Sequence, residues 1–214
     1  MSGPIANVID LYQGNTVEDF AKAKAAGVLG VIHKATTGAT GRDSQYAQRR
    51  HDATKAGLLW GAYHWGTAAP VDQQVANFLK TASPDHQTLV ALDFESSPGN
   101  QMTLDMARTF LTQIDAKLGR KAVVYSRSLI ISLLGDTKDP FFGAHRLWLP
   151  QYGNPHPTPQ ASWSTYWLWQ YTDGTEKHPV GPSTVDGIPG NANGKVDCDY
   201  FPGTPEALKA QWAS

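Results

Sequence analysis

Short apolar runs alternate with longer amphipathic ones along this chain. The short runs are rich in β-branched and aromatic residues, are bounded by Gly, Pro or Asn, and predict strands over 7–12, 30–36, 59–65, 88–95, 122–126, 146–152, 166–172 and 195–201. The amphipathic runs predict helices over 17–26, 44–56, 71–82 and 104–118, a shorter one over 128–134 and a closing helix over 203–214. Thr16 and Thr103 stand as N-caps, and Gly27, Gly57 and Gly119 follow helices where a C′ residue sits.

Strand–helix alternation through residue 134 implies a parallel sheet with right-handed crossovers, and eight strands imply closure into a barrel rather than an open sheet. Beyond residue 146 no convincing helix separates the strands, and the connections are rich in Pro, Gly, Asn and His. The expected fold is therefore α/β, an irregular TIM-like (β/α) barrel with eight strands and fewer helices, filling 1–214 as a single domain.

In Val90-Ala-Leu-Asp-Phe-Glu95 the side chains alternate between faces. Val90, Leu92 and Phe94 suit packing against outer helices, whereas Ala91, Asp93 and Glu95 point toward a barrel mouth. Carboxyl groups at i and i+2 lie about 7 Å apart at the backbone, and at that spacing each raises the other's proton affinity. One member then stays protonated as a general acid while the other stays ionised, the division of labour that glycosidic cleavage requires. With 4 Glu among 19 acidic residues, chance supplies an Asp-x-Glu match about 0.3 times, so the motif alone is weak. Its setting is stronger. Glu18 and Glu206 fall in helical stretches and Glu176 in a polar loop, so Glu95 alone ends a buried strand. The competing reading is a carboxylate pair that caps a strand end or pairs with Lys or Arg. Asp10 closes another apolar strand, and Asp197 and Asp199 share a face of a third, so parity does not choose between them. Acids at the C-terminal ends of several barrel strands converge on one site.

Composition narrows the partners. A net charge of −1 with no basic run argues against nucleic acid or an anionic membrane as partner. Seven Trp and eight Tyr suit sugar stacking and equally a large core. Cys198 is the single cysteine, so no intrachain disulfide or cysteine-rich zinc site is expected. The seven His are scattered, and neither a metal nor another cofactor is expected. His64 reads better as a hydrogen-bonded structural residue than as a cleft residue, and Trp163, Trp167 and Trp169 as core packing rather than sugar platforms. Lys34 either neutralises a site acid or forms a plain salt bridge, and Ser126 lacks a His–Asp arrangement that would make it a nucleophile. No signal peptide or membrane span is visible, so an extracellular or periplasmic role calls for release by lysis, non-classical export or a leader already trimmed.

Seven segments now stand in one order: Val8-Ile-Asp10, Ile32-His-Lys-Ala-Thr36, Gly61-Ala-Tyr-His-Trp65, Leu92-Asp-Phe-Glu95, Leu147-Trp-Leu-Pro-Gln-Tyr152, Trp169-Gln-Tyr171 and Val196-Asp-Cys-Asp199. The series resembles glycoside hydrolase family 25, the Chalaropsis-type lysozymes that cut peptidoglycan between N-acetylmuramic acid and N-acetylglucosamine. The resemblance implies an irregular α/β barrel, Glu95 as the general acid, and Asp93 assisting the substrate acetamido group or the oxazolinium-like intermediate it forms. It implies Asp10 and Asp197 as the remaining acids, with Asp199 as second choice, and Tyr63, Tyr125 and Trp148 as substrate-binding aromatics. It also implies peptidoglycan glycan strands as partner and a monomer acting on the cell wall. Two departures stand out. Family members often carry an acid where this chain has Thr37, and no wall-binding module is expected after the barrel. Two rival functions remain: a chitinase-like glycosidase, and a catalytically silent glycan-binding protein on the same barrel.

Overall fold

A computed structural model describes residues 4–175 and 180–214; the loop position read for Glu176 lies outside the described residues. Its strands are β1 (Val8–Leu11), β2 (Gly30–Thr37), β3 (Gly41–Arg42), β4 (Leu59–Trp65), β5 (Leu89–Asp93), β6 (Val123–Tyr125), β7 (Leu147–Pro150), β8 (Leu168–Thr172) and β9 (Asp197–Tyr200). Pairing runs β1-β9-β8-β7-β6-β5-β4-β2, and β1 also pairs with β2, which closes an eight-stranded barrel. β3 is a two-residue addition, antiparallel to the end of β2, too short to leave an apolar pattern in the sequence. The helices are α1 (Phe20–Ala25), α2 (Tyr46–Lys55), α3 (Val71–Ala82), α4 (Leu104–Leu118), α5 (Ser128–Leu134), α6 (Pro140–Gly143) and α7 (Pro205–Gln211). Among the described residues none joins β7 to β8 or β8 to β9, which is the expected irregularity of the second half.

Side-chain alternation divides the core into two layers. Val90, Leu92 and Phe94 pack outward with Phe110, Leu111 and Ile114 of α4, as their parity requires. Val8, Ile32, Leu89, Ala91, Val123 and Leu168 fill the lumen. Trp212, just past α7, plugs the lower end: its indole Nε1 donates to the Trp60 carbonyl at 2.8 Å. A Cβ on Gly30 would stand 2.6 Å from that ring, so only glycine lets the plug seat. With the lower end sealed, the upper end is left to form a cleft.

Helix starts are where the sequence reading shifts most. Thr16 does not cap α1; its backbone forms a bridge with Gly190, and Asp19 caps instead, accepting from the amides of Ala21 and Lys22. In α2 the helix begins at Tyr46 rather than Ser44, because the Asp43 carboxylate engages the Gln45 amide ahead of it. Thr103 caps α4 as expected, and Gly119 closes that helix at φ 68°. α6 is absent from the sequence reading although Asp139 followed by Pro140 is an N-terminal signature; four residues carry no periodicity. The closing helix is α7 alone, capped by Thr204.

The strand directions need one correction. β9 runs antiparallel to both β1 and β8, so its N-terminal end lies at the mouth where the other seven strands end. Asp197 therefore reaches the mouth from the start of its strand, not from the C-terminal end. Alternation fixes a strand's faces but not its direction.

Candidate active site

Inward parity, continued to the upper strand ends, lines a cavity of about 400 Å³ with Asp10, Asp93, Glu95 and Asp197, flanked by Tyr63, Tyr125 and Trp148. The structure thus brings together every first-choice residue of the sequence reading. Asp199 is the exception. It pairs in register with Val8, one inward layer below the Asp10–Asp197 pair, and is fully buried outside the cavity wall. Strand direction separates the two aspartates that parity left equivalent.

β5 ends at Asp93, and Glu95 lies just beyond, half-buried, while Asp93 is only 4 % exposed. The Asp93 Oδ1 is buried without a hydrogen-bond partner among the described residues. Burial and then the Glu95 charge push the Asp93 carboxyl well above the usual range, with Lys34 opposing. Glu95 is raised by burial, again against Lys34. Asp197 is pushed up to about 9 by burial and then by the charges of Asp10 and Asp173. Several acids crowded into one cleft thus hold protons that exposed acids would release.

Lys34 settles the choice left by the sequence. Among the described residues it makes no salt bridge. Its ammonium stands over the rings of Tyr12 at 5.2 Å, Tyr63 at 5.6 Å and Trp65 at 4.9 Å, held by cation–π attraction while its charge acts on the acids across the cavity. Trp148 donates its indole N–H to Asp199 at 2.6 Å, which fixes the ring as a cleft wall. Gln170 joins the wall as a hub: its amide donates to Asp10 at 2.6 Å while its oxygen accepts from Tyr125 at 2.7 Å and from Tyr152.

Tyr12, Trp65, Tyr152, Gln170 and Asp173 line the cavity without having been singled out in the sequence. A signal existed for two of them. Tyr12 lies two residues past Asp10 and Trp65 two past Tyr63, so the same inward parity selects both. The other candidates leave the site. His64 faces outward, between the Thr36 hydroxyl at 2.7 Å and Gln74 at 3.0 Å and stacked on Phe110, and burial lowers its pKa to about 4. Ser126 donates its hydroxyl to the Phe94 carbonyl at 2.6 Å, a structural role. The indoles of Trp163, Trp167 and Trp169 donate to His145, Gln211 and Gln151 respectively, and none lines the cavity. They do not share a face: Trp169 packs in the outer layer while Trp167 packs in the lumen cluster with Trp212. Among the described residues no group of three or more His, Cys, Asp or Glu is arranged to hold a metal ion, and no helix is long and apolar enough to cross a membrane.

A barrel whose mouth gathers acids of raised proton affinity between aromatic walls offers the groups that acid-assisted glycoside cleavage requires. The sequence profile described as Glycosyl hydrolases family 25 matches residues 9–179, and the chain belongs to that family. It is 24 % identical over 213 residues to Lysozyme M1 of Streptomyces globisporus, covering 93 % of this chain and 68 % of that protein. It is 30 % identical over 197 residues to an autolytic lysozyme of Clostridium acetobutylicum, covering 90 % of this chain and 55 % of that one. The chain thus spans little more than half the length of the second curated relative. The crystal structure of a bacterial lysozyme from Streptomyces coelicolor superposes with a TM-score of 0.80 at 23 % identity, over 96 % of this chain and 95 % of that one, a likeness of fold.

Proposed function

We propose that this protein is a muramidase, hydrolysing the β-1,4 bond between N-acetylmuramic acid and N-acetylglucosamine in the peptidoglycan of cell walls. The observation that carries the reading is the Asp93–Glu95 pair: a buried carboxyl with an unpartnered oxygen beside a half-buried acid of raised proton affinity. Glu95, nearer solvent, gives its proton to the leaving glycosidic oxygen as the bond to the anomeric carbon breaks. Asp93 accepts the N–H of the acetamido group, whose carbonyl oxygen closes on that carbon to form an oxazolinium-like intermediate. Water then opens the ring and returns a proton to Glu95. Asp10 supports the positive charge that develops, Asp197 lines the floor beside it as a neutral hydrogen-bonding group, and Tyr63, Tyr125 and Trp148 form the walls against the sugar. The lysozyme names of the relatives agree with this substrate.

The test is mass spectrometry of fragments released from purified peptidoglycan. Reducing-end muramic acid is the expected product. Reducing-end glucosamine would make the protein a glucosaminidase, faster cleavage of chitin oligomers would make it chitinase-like, and wall binding without new reducing ends would make it a silent binder. Each of these contradicts the proposal.

A further inference from the structure

Beneath the cleft floor lies a carboxyl that the proposed chemistry does not use. Asp199 is 0 % exposed and pairs in register with Gln170 of β8 on one side and with Val8 of β1 on the other. Its Oδ1 accepts the Trp148 indole N–H at 2.6 Å, while its Oδ2 is buried with no N–H or hydroxyl donor among the described residues. Asp10 stands diagonally across from Asp199, one inward layer up on the neighbouring β1, and its carboxyl accepts the amide of Gln170, the residue opposite Asp199, at 2.6 Å. Tyr125 and Tyr152 both donate to the Gln170 oxygen, which leaves its amide N–H to Asp10.

Two buried carboxyl groups at diagonal positions of neighbouring strands, each already accepting one N–H, are best accommodated with a proton between them. Solvent supplies the asymmetry: Asp10 lines the cavity and Asp199 does not, so the negative charge rests on the Asp10 side and the donor is Asp199. We propose that Asp10 and Asp199 form a pair holding one proton, in which Asp199 is a positioning residue that donates to Asp10 from below and fixes its carboxylate at the cleft floor. The inference rests on the muramidase reading only for what Asp10 is positioned to do.

The surrounding charges favour a proton on the pair. Burial raises both groups well above the usual carboxylate range, with the charge of Asp199 next for Asp10 and the charge of Asp197 also acting on Asp199. Glu95 raises Asp10 further from the end of β5. Tyr63, Tyr125, Tyr152 and Tyr171, like Cys198, are all raised by burial and stay neutral. Among the described residues Lys34 is the cation lining the cavity, above this layer.

Two variants and one spectroscopic readout test the pair. Asn at 199 keeps the shape, accepts from Trp148 through its oxygen and donates to Asp10 through its amide, so Asp199→Asn should keep kcat for wall hydrolysis within about threefold of wild type. Asp199→Ala removes the donor and should lower kcat about tenfold or more with KM little changed. In ¹³C NMR of aspartate-labelled protein, the Asp10 carboxyl should titrate in two coupled steps in wild type. In Asp199→Asn it should titrate in a single step at lower pH. An Asp199→Asn variant as slow as the Ala variant, or an Asp10 titration that the substitution leaves unchanged, overturns the proposal. If wild type releases no wall fragments the muramidase reading fails, while the NMR titration, which needs no substrate, still decides the pair.

Discussion

Replacing Asp197 with Asn should make the protein more stable at neutral pH, and the gain should vanish in acid. The carboxyl titrates near 9 in the fold against an ordinary 3.8. At pH 7 the folded chain therefore holds a proton there that the unfolded chain has released. At 1.36 kcal/mol per unit between the ordinary value and pH 7, that difference penalises folding by about 4 kcal/mol at most. Asp197 is only half-buried at an open cleft, and Lys34 opposes the shift, so screening reduces the figure to about 2 kcal/mol. The sign follows from the raised value. Stability is full below pH 4, where both states are protonated, and falls as pH rises toward 9. Asn has no proton to lose and escapes that fall. For a domain of this size, about 2 kcal/mol corresponds to a Tm increase of roughly 4–8 °C. Urea unfolding of wild type and Asp197→Asn at pH 4 and pH 7 measures it directly. An equal difference at both pH values, or a variant less stable at pH 7, would refute the reasoning, since either means that Asp197 is ionised in the fold.

Lys34→Met removes the cation that opposes the raised proton affinities of Asp93, Glu95 and Asp197. The alkaline limb of the wall-lysis profile, set by loss of the Glu95 proton, should move up by about 0.5–1 pH unit, and a limb that stays or moves down counts against the assignment. Ser126→Ala loses the 2.6 Å bond to the Phe94 carbonyl and should cost about 1 kcal/mol in urea unfolding. Its lysis rate should stay within about twofold of wild type, and abolished lysis would reopen a nucleophilic role for the hydroxyl.

The barrel was legible because each of its eight strands is an apolar run whose parity reports which residues face inward. The same parity carried Asp93, Glu95 and Asp10 into the cleft and Val90, Leu92 and Phe94 out of it. What escaped has physical reasons. The direction of β9 follows from its antiparallel pairing with β1 and β8, which no local pattern reports, and this alone separates Asp197 in the cleft from Asp199 in the interior. Asp19 displaces Thr16 as the cap of α1 because Thr16 is committed to a backbone bridge with Gly190, some 170 residues away and invisible to local pattern. Lys34 illustrates a further limit. Of its three aromatic neighbours, Tyr12 lies just past β1 and Tyr63 and Trp65 lie on β4, and only the pairing of β2 between those two strands assembles them.

The account stands most directly on Glu95 as proton donor. Glu95→Gln keeps the size and hydrogen-bonding capacity of the side chain at a half-buried position, so circular dichroism and Tm should match wild type. Turbidity clearance of purified bacterial walls by the same variant should fall a hundredfold or more, the scale expected when a general acid is removed. A folded Glu95→Gln protein that clears walls at the wild-type rate would contradict it.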